Sequence, residues 1–441
     1  MKLAVIGLWH LGCVTAACLA NAGYHVIAYD SDISTINSLK AGKAPLSEPH
    51  LDHLLIDHLQ TRKLHFTSDI SEINQAEIVW ITFDISVDEN DRGDIDLIIQ
   101  QIETIFPHLQ NDALVIISSQ LPVGSTKKLQ TLCFKEFPHK KITFAYSPEN
   151  LRLGKAIDIF NHPDRVVVGL QAADPQNEEA ISRYHLDKTR ITQLFNPFTD
   201  NILWMSIESA EMTKHALNAF LATSVVFINE LAALCEHVGA NPYDVEQGLK
   251  SEERIGSKAY LRPGNAIAGG TLIRDVNYLI EMGKQKSLDT HLFSALLKSN
   301  QVHKQWSCRR IVDVFKHLTD KTISILGLSY KIGTDTLRRS SAIETGEWLA
   351  KQGAKILAYD PAIKTLPNHL SAIIDLKLTL NDALKNADAI IIATEWPELT
   401  SLSAEQLLTH TKQPYVFDAN RFLAKNLGQD SRIHYFSVGI C

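Results

Sequence analysis

The stretch KLAVIGLWHLGCVTAACLANAGYHVIAYD, residues 2–30, decides the fold of the first part of this chain. An apolar run leads into a glycine turn, residues at helical spacing follow as far as Gly23, and a second apolar run ends at Asp30. Further strand-like runs occur at residues 76–83 and 113–119, with helical stretches between them. Apolar strands that alternate with helices predict an α/β fold, a parallel sheet with helices on both faces.

The turn GLWHLG, residues 7–12, has the context of a dinucleotide-binding site, because it follows a strand and opens a helix. Backbone N–H groups there face a pyrophosphate, and an acid at Asp30 accepts from a ribose hydroxyl, which favours NAD over NADP. We predict that the cofactor NAD is bound by Gly7, Leu11, Gly12 and Asp30. Trp9 replaces the usual second glycine. Its indole could point away or block the site, and the turn could also hold no ligand at all.

Composition places the chain among ordinary globular proteins. It has 441 residues, of which 45% are hydrophobic and 21% charged, and this length suggests two or three domains. The net charge of −7 argues against non-specific binding of nucleic acid. We find no apolar run of the ~18 residues that a membrane span needs, and the N-terminus is more typical of a strand than of a signal peptide.

The six cysteines lie far apart and form neither a Cys-x-x-Cys pair nor a metal-ligand spacing. This pattern predicts reduced thiols in a cytoplasmic protein, with no metal site. Two of the cysteines fall on the first predicted helix and are interpreted as packing residues. In chain order the six are Cys13, Cys18, Cys133, Cys235, Cys308 and Cys441.

The pattern changes near Ser206, where a long run at helical spacing continues to Gly239. It is too apolar for a solvated helix, so we expect it to join two domains and to bury surface against a partner subunit in a homodimer. A second α/β segment near Lys321 repeats the order strand, glycine turn, helix, glycine, strand, acid up to Asp360. We predict two Rossmann-like doubly wound domains, residues 1–205 and 311–441, joined by a long central helix and a helical middle domain, residues 206–310.

Five motifs, in order, resemble the UDP-glucose/GDP-mannose dehydrogenase family, the nucleotide-sugar 6-dehydrogenases. They are SPENLRLGKAI at 147–157, SAEMTKHALNAFLAT with FINELA between 209 and 232, RIG at 254–256, GLSYKIGTDTLRRSSA at 327–342 and ATEW at 393–396. The resemblance covers nearly the whole chain. It implies a role in polysaccharide biosynthesis and the oxidation of a sugar-nucleotide CH2OH to a carboxylate in two NAD-dependent steps, with a cysteine that traps the aldehyde as a thiohemiacetal.

Lys214 and Asn218 are four residues apart and share one helix face. A partly desolvated lysine can act as a base or donate to an alkoxide, and an asparagine can add a neutral hydrogen bond. The resemblance assigns catalysis to both, the hydrolytic water to Glu149, and a hydrogen bond with lysine or water to Asp275. Asp275 opens the helix-like run DVNYLIEMGK, so we also expect it to cap a helix.

Five further positions take binding roles from the resemblance. Lys331 and Tyr330 belong to the segment that contacts the substrate diphosphate, and Arg338 matches an arginine that contacts the cofactor phosphates. Arg254 matches an arginine that reaches a neighbouring subunit's substrate, which requires an oligomer. Gln120 stands at a cofactor-side position where the family has threonine.

The stretch PGNAIAGGTLIRD, residues 263–275, departs from the family loop at its central position. Aligned without gaps, the family's cysteine position falls on Thr271; aligned on the paired glycines, it falls on Leu272. A threonine hydroxyl is a much weaker nucleophile than a thiol, so we expect the second oxidation to be lost or severely slowed. Leu153 replaces the family's second acid and Arg274 replaces the lysine before the aspartate.

Two functions remain open at this point. The first is an NAD-dependent oxidoreductase that acts on the CH–OH group of a nucleotide sugar in one two-electron step. The alternative is a non-catalytic homologue that binds a nucleotide sugar as a sensor or assembly partner, which Trp9, Gln120 and Thr271 favour. A hydroxyacid dehydrogenase with similar halves fits less well, because residues 331–339 resemble a nucleotide-diphosphate site.

Overall fold

A computed structural model describes residues 1–85 and 93–440 in two units, Met1–Leu217 and Asn218–Cys441. The predicted division at residues 205 and 310 into three domains stays a prediction. The first unit holds an eight-stranded sheet whose strands are β1 (Lys2–Ile6), β2 (His25–Tyr29), β3 (Leu64–Thr67), β4 (Ile78–Ile81), β5 (Leu114–Ile117), β6 (Thr143–Tyr146), β7 (Val166–Leu170) and β8 (Ile202–Met205).

Helices of the first unit cover both faces of this sheet. They are α1 (His10–Asn21), α2 (Ile33–Lys40), α3 (Leu51–Gln60), α4 (Ile95–Glu103), α5 (Ser125–Glu136), α6 (Ala156–Asn161) and α7 (Glu178–Phe195), with 3-10 turns at Ile70–Gln75 and Phe106–His108. Two separate clusters of buried apolar side chains, one on each face, form the core. The strand β4 reads IVWI and is buried at every position, as expected for a strand covered on both faces.

The strand order is β3-β2-β1-β4-β5-β6-β7-β8. The pairs from β3 through β6 are parallel, so the carboxyl ends of β1, β4, β5 and β6 meet at one edge. The order reverses between β1 and β4, which is where ligands bind in such sheets. The sheet departs from the all-parallel prediction at one pair, because β6 and β7 are antiparallel.

The helix α8 (Ile207–Val238) is the long helix predicted from the apolar run, and Gly239 follows it with a φ of +74°. The division between the two units falls within this helix. By length and composition it would be able to cross a membrane, contrary to the expectation from the sequence. A buried helix in the core of a soluble protein meets the same criteria, so a single helix of this kind is weak evidence for a span.

The second unit contains a six-stranded parallel sheet in the order β11-β10-β9-β12-β13-β14. Its strands are β9 (Thr322–Leu326), β10 (Lys355–Tyr359), β11 (Ile374–Leu376), β12 (Ala389–Ile392), β13 (Tyr415–Phe417) and β14 (His434–Phe436). Its helices are α9 (Pro242–Ser251), α10 (Thr271–Gln285), α11 (His291–Lys304), α12 (Trp306–Phe315), α13 (Ser341–Lys351), α14 (Asn368–Ser371), α15 (Leu380–Leu384) and α16 (Ala404–His410), with a 3-10 turn at Pro397–Ser401. The predicted fold class is confirmed.

The internal repeat is visible in the backbone of the two glycine turns. Gly7 and Gly327 have φ angles of +91° and +93°. The next N–H donates to the acid at the end of the following strand in both units: Leu8 to Asp30 at 2.8 Å and Leu328 to Asp360 at 2.7 Å. The expectation of a helix directly after the second turn is wrong, because α13 begins only at Ser341.

Five of the six cysteines lie in the described part of the chain, and all five are buried free thiols. Burial raises the pKa of the Cys13 thiol, with Asp30 adding to the effect, and raises that of Cys18 to about 12. Both pack within the core of the first unit, as the sequence predicts. Cys441 lies outside the described residues.

Candidate active site

The first glycine turn is tightly packed and follows β1, next to the point where the strand order of the first sheet reverses. A Cβ on Gly12 would stand 1.9 Å from the carbonyl oxygen of Gly7, and one on Gly7 would stand 2.6 Å from the Phe83 ring. Both positions therefore require glycine. The N-terminus of α1 has no side-chain cap, so its backbone N–H groups suit an anion such as a pyrophosphate.

Trp9 immediately precedes α1, and 47% of its surface is exposed. Leu11 is partly buried in the first turn of the helix. Asp30 uses Oδ2 to accept from Leu8 and Oδ1 to accept from the N–H of Asp32 at 2.9 Å. The carboxylate thus fixes the turn and remains only partly buried at the end of β2.

The loop after β5 carries Gln120 and is held by two side chains of α8. Glu211, which is fully buried, accepts from the N–H of Gly124 at 2.6 Å and of Thr126 at 2.9 Å, at the N-terminus of α5. His215 Nε2 lies 3.1 Å from the carbonyl oxygen of Leu121. Burial raises the pKa of Glu211, and the N–H donors of Gly124 and Thr126 oppose that rise.

The loop after β6 carries Glu149 and is held by Lys214. The Lys214 ammonium donates to the carbonyl oxygen of Glu149 and lies 3.4 Å from Oδ1 of Asn150. Lys214 is only 7% exposed, so its ammonium group is largely shielded from solvent, and its catalytic role stays a prediction. The Glu149 carboxylate accepts from the N–H of Leu151 at 2.6 Å.

In the second unit, the amide of Asn218 donates to Oδ2 of Asp275. Asp275 is fully buried and Asn218 is 6% exposed. The prediction that Asp275 opens a helix is wrong, because α10 begins at Thr271 after Gly270, and no acid lies in its first turn. Asp275 lies in the second turn, where its carboxylate fixes an amide of α8 instead of capping the helix.

Thr271 is the first residue of α10 and is exposed, whereas Leu272 is half-buried. The loop before it is held by buried side chains. Asn229 accepts from the N–H of Gly264 at 2.9 Å, and His303 Nε2 lies 2.8 Å from the carbonyl oxygen of Gly264. Asn300 binds both the N–H and the carbonyl oxygen of Ile267, at 2.9 and 2.8 Å. These contacts fix the loop at Gly264 and Ile267, ahead of Thr271 in the chain.

The remaining predicted binding residues lie in the second unit. Lys331 and Arg338 are exposed in the long connection between β9 and α13, and the N–H of Tyr330 donates to the carbonyl oxygen of Thr336 at 2.8 Å. A Cβ on Gly270 would stand 3.3 Å from the Tyr330 hydroxyl, so Tyr330 lies close to the start of α10. Arg254 is 87% exposed and pairs with Glu252 at 2.8 Å.

Sequence reasoning missed several residues that position these groups: Glu48, Glu211, His215, Asn229, Asn300 and His303. Glu211 and His215 had a signal, because polar groups in an apolar helical run point to a buried hydrogen bond. Asn300 and His303 had none, since they contact a loop more than 30 residues away in the chain.

The first glycine turn, beside the reversal of strand order in an α/β sheet, is typical of NAD-dependent dehydrogenases, and a second Rossmann-like unit follows in the chain. Three family models match along the chain: the NAD binding domain of the UDP-glucose/GDP-mannose dehydrogenase family at residues 1–187, its central domain at 208–302 and its UDP binding domain at 324–425. The chain belongs to the UDP-glucose/GDP-mannose dehydrogenase family. It is therefore an NAD-dependent nucleotide-sugar dehydrogenase, and the predicted family, cofactor and class of substrate are confirmed.

Curated relatives match over their whole length. The chain is 32% identical to UDP-glucose 6-dehydrogenase YwqF of Bacillus subtilis (strain 168), over 100% of this chain and 98% of the relative. It is 30% identical to UDP-glucose 6-dehydrogenase of Rhizobium meliloti (strain 1021), over 100% and 99%. A solved UDP-glucose dehydrogenase from Pyrobaculum islandicum shares the fold with a TM-score of 0.84, at 24% identity over 100% of this chain and 98% of that chain.

Proposed function

We propose that this enzyme oxidises the CH2OH group of a UDP-sugar, with UDP-glucose as the first candidate, by one two-electron step that ends at the aldehyde. The names of its relatives and the UDP binding domain support the choice of substrate. The observation that carries the limit is Thr271, which opens α10 at the position that the ungapped alignment gives to the family's cysteine.

When bound, the cofactor would supply the acceptor for the hydride of the carbinol carbon, and the products would be an aldehyde, reduced cofactor and one proton. Lys214 takes the hydroxyl proton through its unprotonated amine, and the carbonyl oxygen of Glu149 accepts from the ammonium group that then forms. Asn218 donates to the same substrate oxygen, and Asp275 fixes the amide that does so. The backbone at Gly7, Leu11 and Gly12 would hold the pyrophosphate of the cofactor.

No cysteine of the described second unit suits the capture of an aldehyde. Cys235 and Cys308 are both buried, and burial raises the pKa of Cys308 to about 12, which keeps it a thiol. Thr271 is exposed but would need an adjacent base to attack a carbonyl. Glu149 would handle the water of hydrolysis only if a covalent intermediate formed, so its role there stays a prediction.

The experiment is an incubation with NAD and a panel of UDP-, GDP- and dTDP-sugars, with reduced cofactor and the mass of each product recorded. We expect turnover on a UDP-sugar and a product two hydrogens lighter than the substrate. Turnover only on GDP- or dTDP-sugars would refute the UDP assignment. A carboxylate product would refute the two-electron limit.

We also propose a cytoplasmic homodimer through α8, which would supply sugar donors for polysaccharide biosynthesis. Phe220, Phe227 and Leu234 lie seven residues apart on this helix and are 70%, 47% and 62% exposed. A stripe of this spacing suits packing against a second helix. Arg254, which is exposed beside Glu252, would then contact the partner's substrate. A Phe220→Glu/Phe227→Glu variant should run as a monomer in light scattering, and an unchanged mass would refute the interface.

A further inference from the structure

The carboxylate of Glu48 links two segments of the first unit. One is the first glycine turn, residues 7–12, called the cofactor turn below, and the other is the loop that carries Glu149. Oε2 of Glu48 lies 2.9 Å from Nε2 of His10, which is the first residue of α1. The same oxygen accepts from the N–H of Gly154 at 2.8 Å, and Oε1 accepts from the N–H of Ala156 at 2.9 Å. The side chain of Glu48 is 1% exposed and that of His10 is 16% exposed.

Three donors around one buried carboxylate keep it ionised. Burial raises the pKa of Glu48, but the hydrogen bonds from Gly154, His10 and Ala156 outweigh burial and leave the pKa below its ordinary value. Hydrogen bonds of this charged kind are short and directional, so they fix the distance between the elements that they join. Glu48 lies in the loop between α2 and α3, which contains neither partner: His10 is 38 residues away in the chain and Gly154 is 106 away.

The contacts continue toward the proposed base. Gly154 lies near the end of the loop that begins after β6, Ala156 is the first residue of α6, and Glu149 lies in the same loop as Gly154. The carbonyl oxygen of Glu149 accepts from the Lys214 ammonium. Within the first unit, hydrogen bonds and the short chain segment from Gly154 back to Glu149 therefore connect the cofactor turn through Glu48 to Lys214.

We propose that Glu48 is a positioning residue, which sets the cofactor turn and the Glu149 loop at a fixed separation so that bound NAD and Lys214 are correctly placed. Glu48 performs no proton transfer itself, because its oxygens are engaged by the loop and by His10. The proposal rests on NAD binding at residues 7–12 and on the proposed role of Lys214.

The test compares Glu48→Gln, His10→Gln and the control Glu179→Gln. Glutamine keeps the shape of Glu48 but loses the charge and turns an NH2 group toward backbone donors. Glu179 forms an exposed ion pair with Lys141, next to the amino end of β6 and away from the turn. The dissociation constant of NAD is measured by calorimetry on the full chain, and kcat and KM are measured with UDP-glucose.

For Glu48→Gln we expect NAD to bind about tenfold more weakly, the size expected for the loss of a charge-assisted hydrogen bond. We expect kcat at saturating NAD to fall by about tenfold or more, since the Glu149 loop also moves. His10→Gln should weaken NAD binding with a smaller loss of kcat, because the bonds to Gly154 and Ala156 remain. Glu179→Gln should match the unaltered protein in both.

Unchanged NAD affinity and kcat in a folded Glu48→Gln variant would overturn the proposal, as would equal losses in Glu179→Gln. If Glu48→Gln fails to fold, His10→Gln decides alone, and wild-type NAD affinity there overturns the proposal. The calorimetry requires no sugar, so it remains decisive for the cofactor turn even if UDP-glucose is not a substrate.

Discussion

The Lys214 ammonium donates to the carbonyl oxygen of Glu149, so α8 and the loop after β6 meet at the proposed base. We expect Lys214→Ala to reduce kcat by about 10²- to 10⁴-fold, the usual contribution of a general base. Binding of NAD, measured by calorimetry, should change little. The control is Lys127→Ala on α5, an exposed lysine that lies 3.7 Å from Glu208. A Lys214→Ala enzyme with near wild-type kcat would remove Lys214 from the mechanism.

Asp275 and Asn218 form a buried pair, and its contribution to the stability of the protein can be measured separately from its contribution to catalysis. Asp275→Asn removes the charge that accepts from Asn218, and we expect a loss of about 1–3 kcal/mol in the free energy of unfolding together with at least a tenfold loss of kcat. In the exchanged variant Asn218→Asp/Asp275→Asn the hydrogen bond can form again. Urea unfolding should show recovered stability while kcat stays low. Recovery of kcat as well would mean that the pair is only structural.

Gly12 is required by the turn, because a Cβ there would stand 1.9 Å from the Gly7 carbonyl oxygen. We expect Gly12→Ala to destabilise the protein by about 1–3 kcal/mol, as overpacking does, and to abolish detectable NAD binding. Gly248→Ala on α9 is the matched control, since nothing lies within 4 Å of the Cβ that it would add. That control should be neutral or slightly stabilising. Calorimetric NAD binding by Gly12→Ala equal to the control's would contradict the assignment.

His303 makes the stability of the second unit depend on pH. Burial lowers its pKa below the ordinary 6.5, although the Gly264 carbonyl opposes this. Below pH 6.5 the unfolded chain therefore takes up a proton that the folded chain resists. This contribution to the free energy of unfolding is present above that pH and is lost as the pH falls toward the folded pKa. His303→Gln should show a shallower loss of stability between pH 7 and pH 5, where about one fewer proton is linked to unfolding. Parallel curves for the two proteins would show that His303 is not the group responsible.

Thr271→Cys tests whether the lack of a cysteine at residue 271 is what limits the enzyme to one oxidation. A thiol at the start of α10 would be exposed at a helix N-terminus, which favours the thiolate. We expect this variant to release more reduced cofactor per sugar than the unaltered enzyme and to form some carboxylate. Leu272→Cys, at the alternative aligned position, is the control. If Leu272→Cys forms carboxylate and Thr271→Cys does not, the family's cysteine position corresponds to Leu272 and not to Thr271.

The fold could be predicted from the sequence, because apolar strands such as IVWI at residues 78–81 and the two glycine turns carry local signals. Two local interpretations were wrong for physical reasons. Asp275 resembled a helix cap, but the helix begins one turn earlier at the glycine pair, and the acid pairs with Asn218. The second glycine turn resembled the first, yet Gly333 has a φ of +77° and begins no helix.

The motifs single out Lys214 and Glu149, and the structure brings these two residues into contact, while their catalytic roles stay predictions. The residues that hold the candidate site in place could not be predicted, because their partners lie far away in the chain. Glu48 stands in an unremarkable polar segment, and its three donors are known only from the folded structure. Asn229 lies inside an apolar helix, but the loop that it holds begins 35 residues later.

The most direct measurement of the central claim is the stoichiometry of a single reaction taken to completion. A limiting, known amount of UDP-glucose is incubated with excess NAD, and a trapping hydrazine removes any free aldehyde. Reduced cofactor is measured by absorbance and the product by mass. The enzyme with Thr271 should release one reduced cofactor per sugar and yield the trapped aldehyde. Two reduced cofactors per sugar with a carboxylate product would contradict the account.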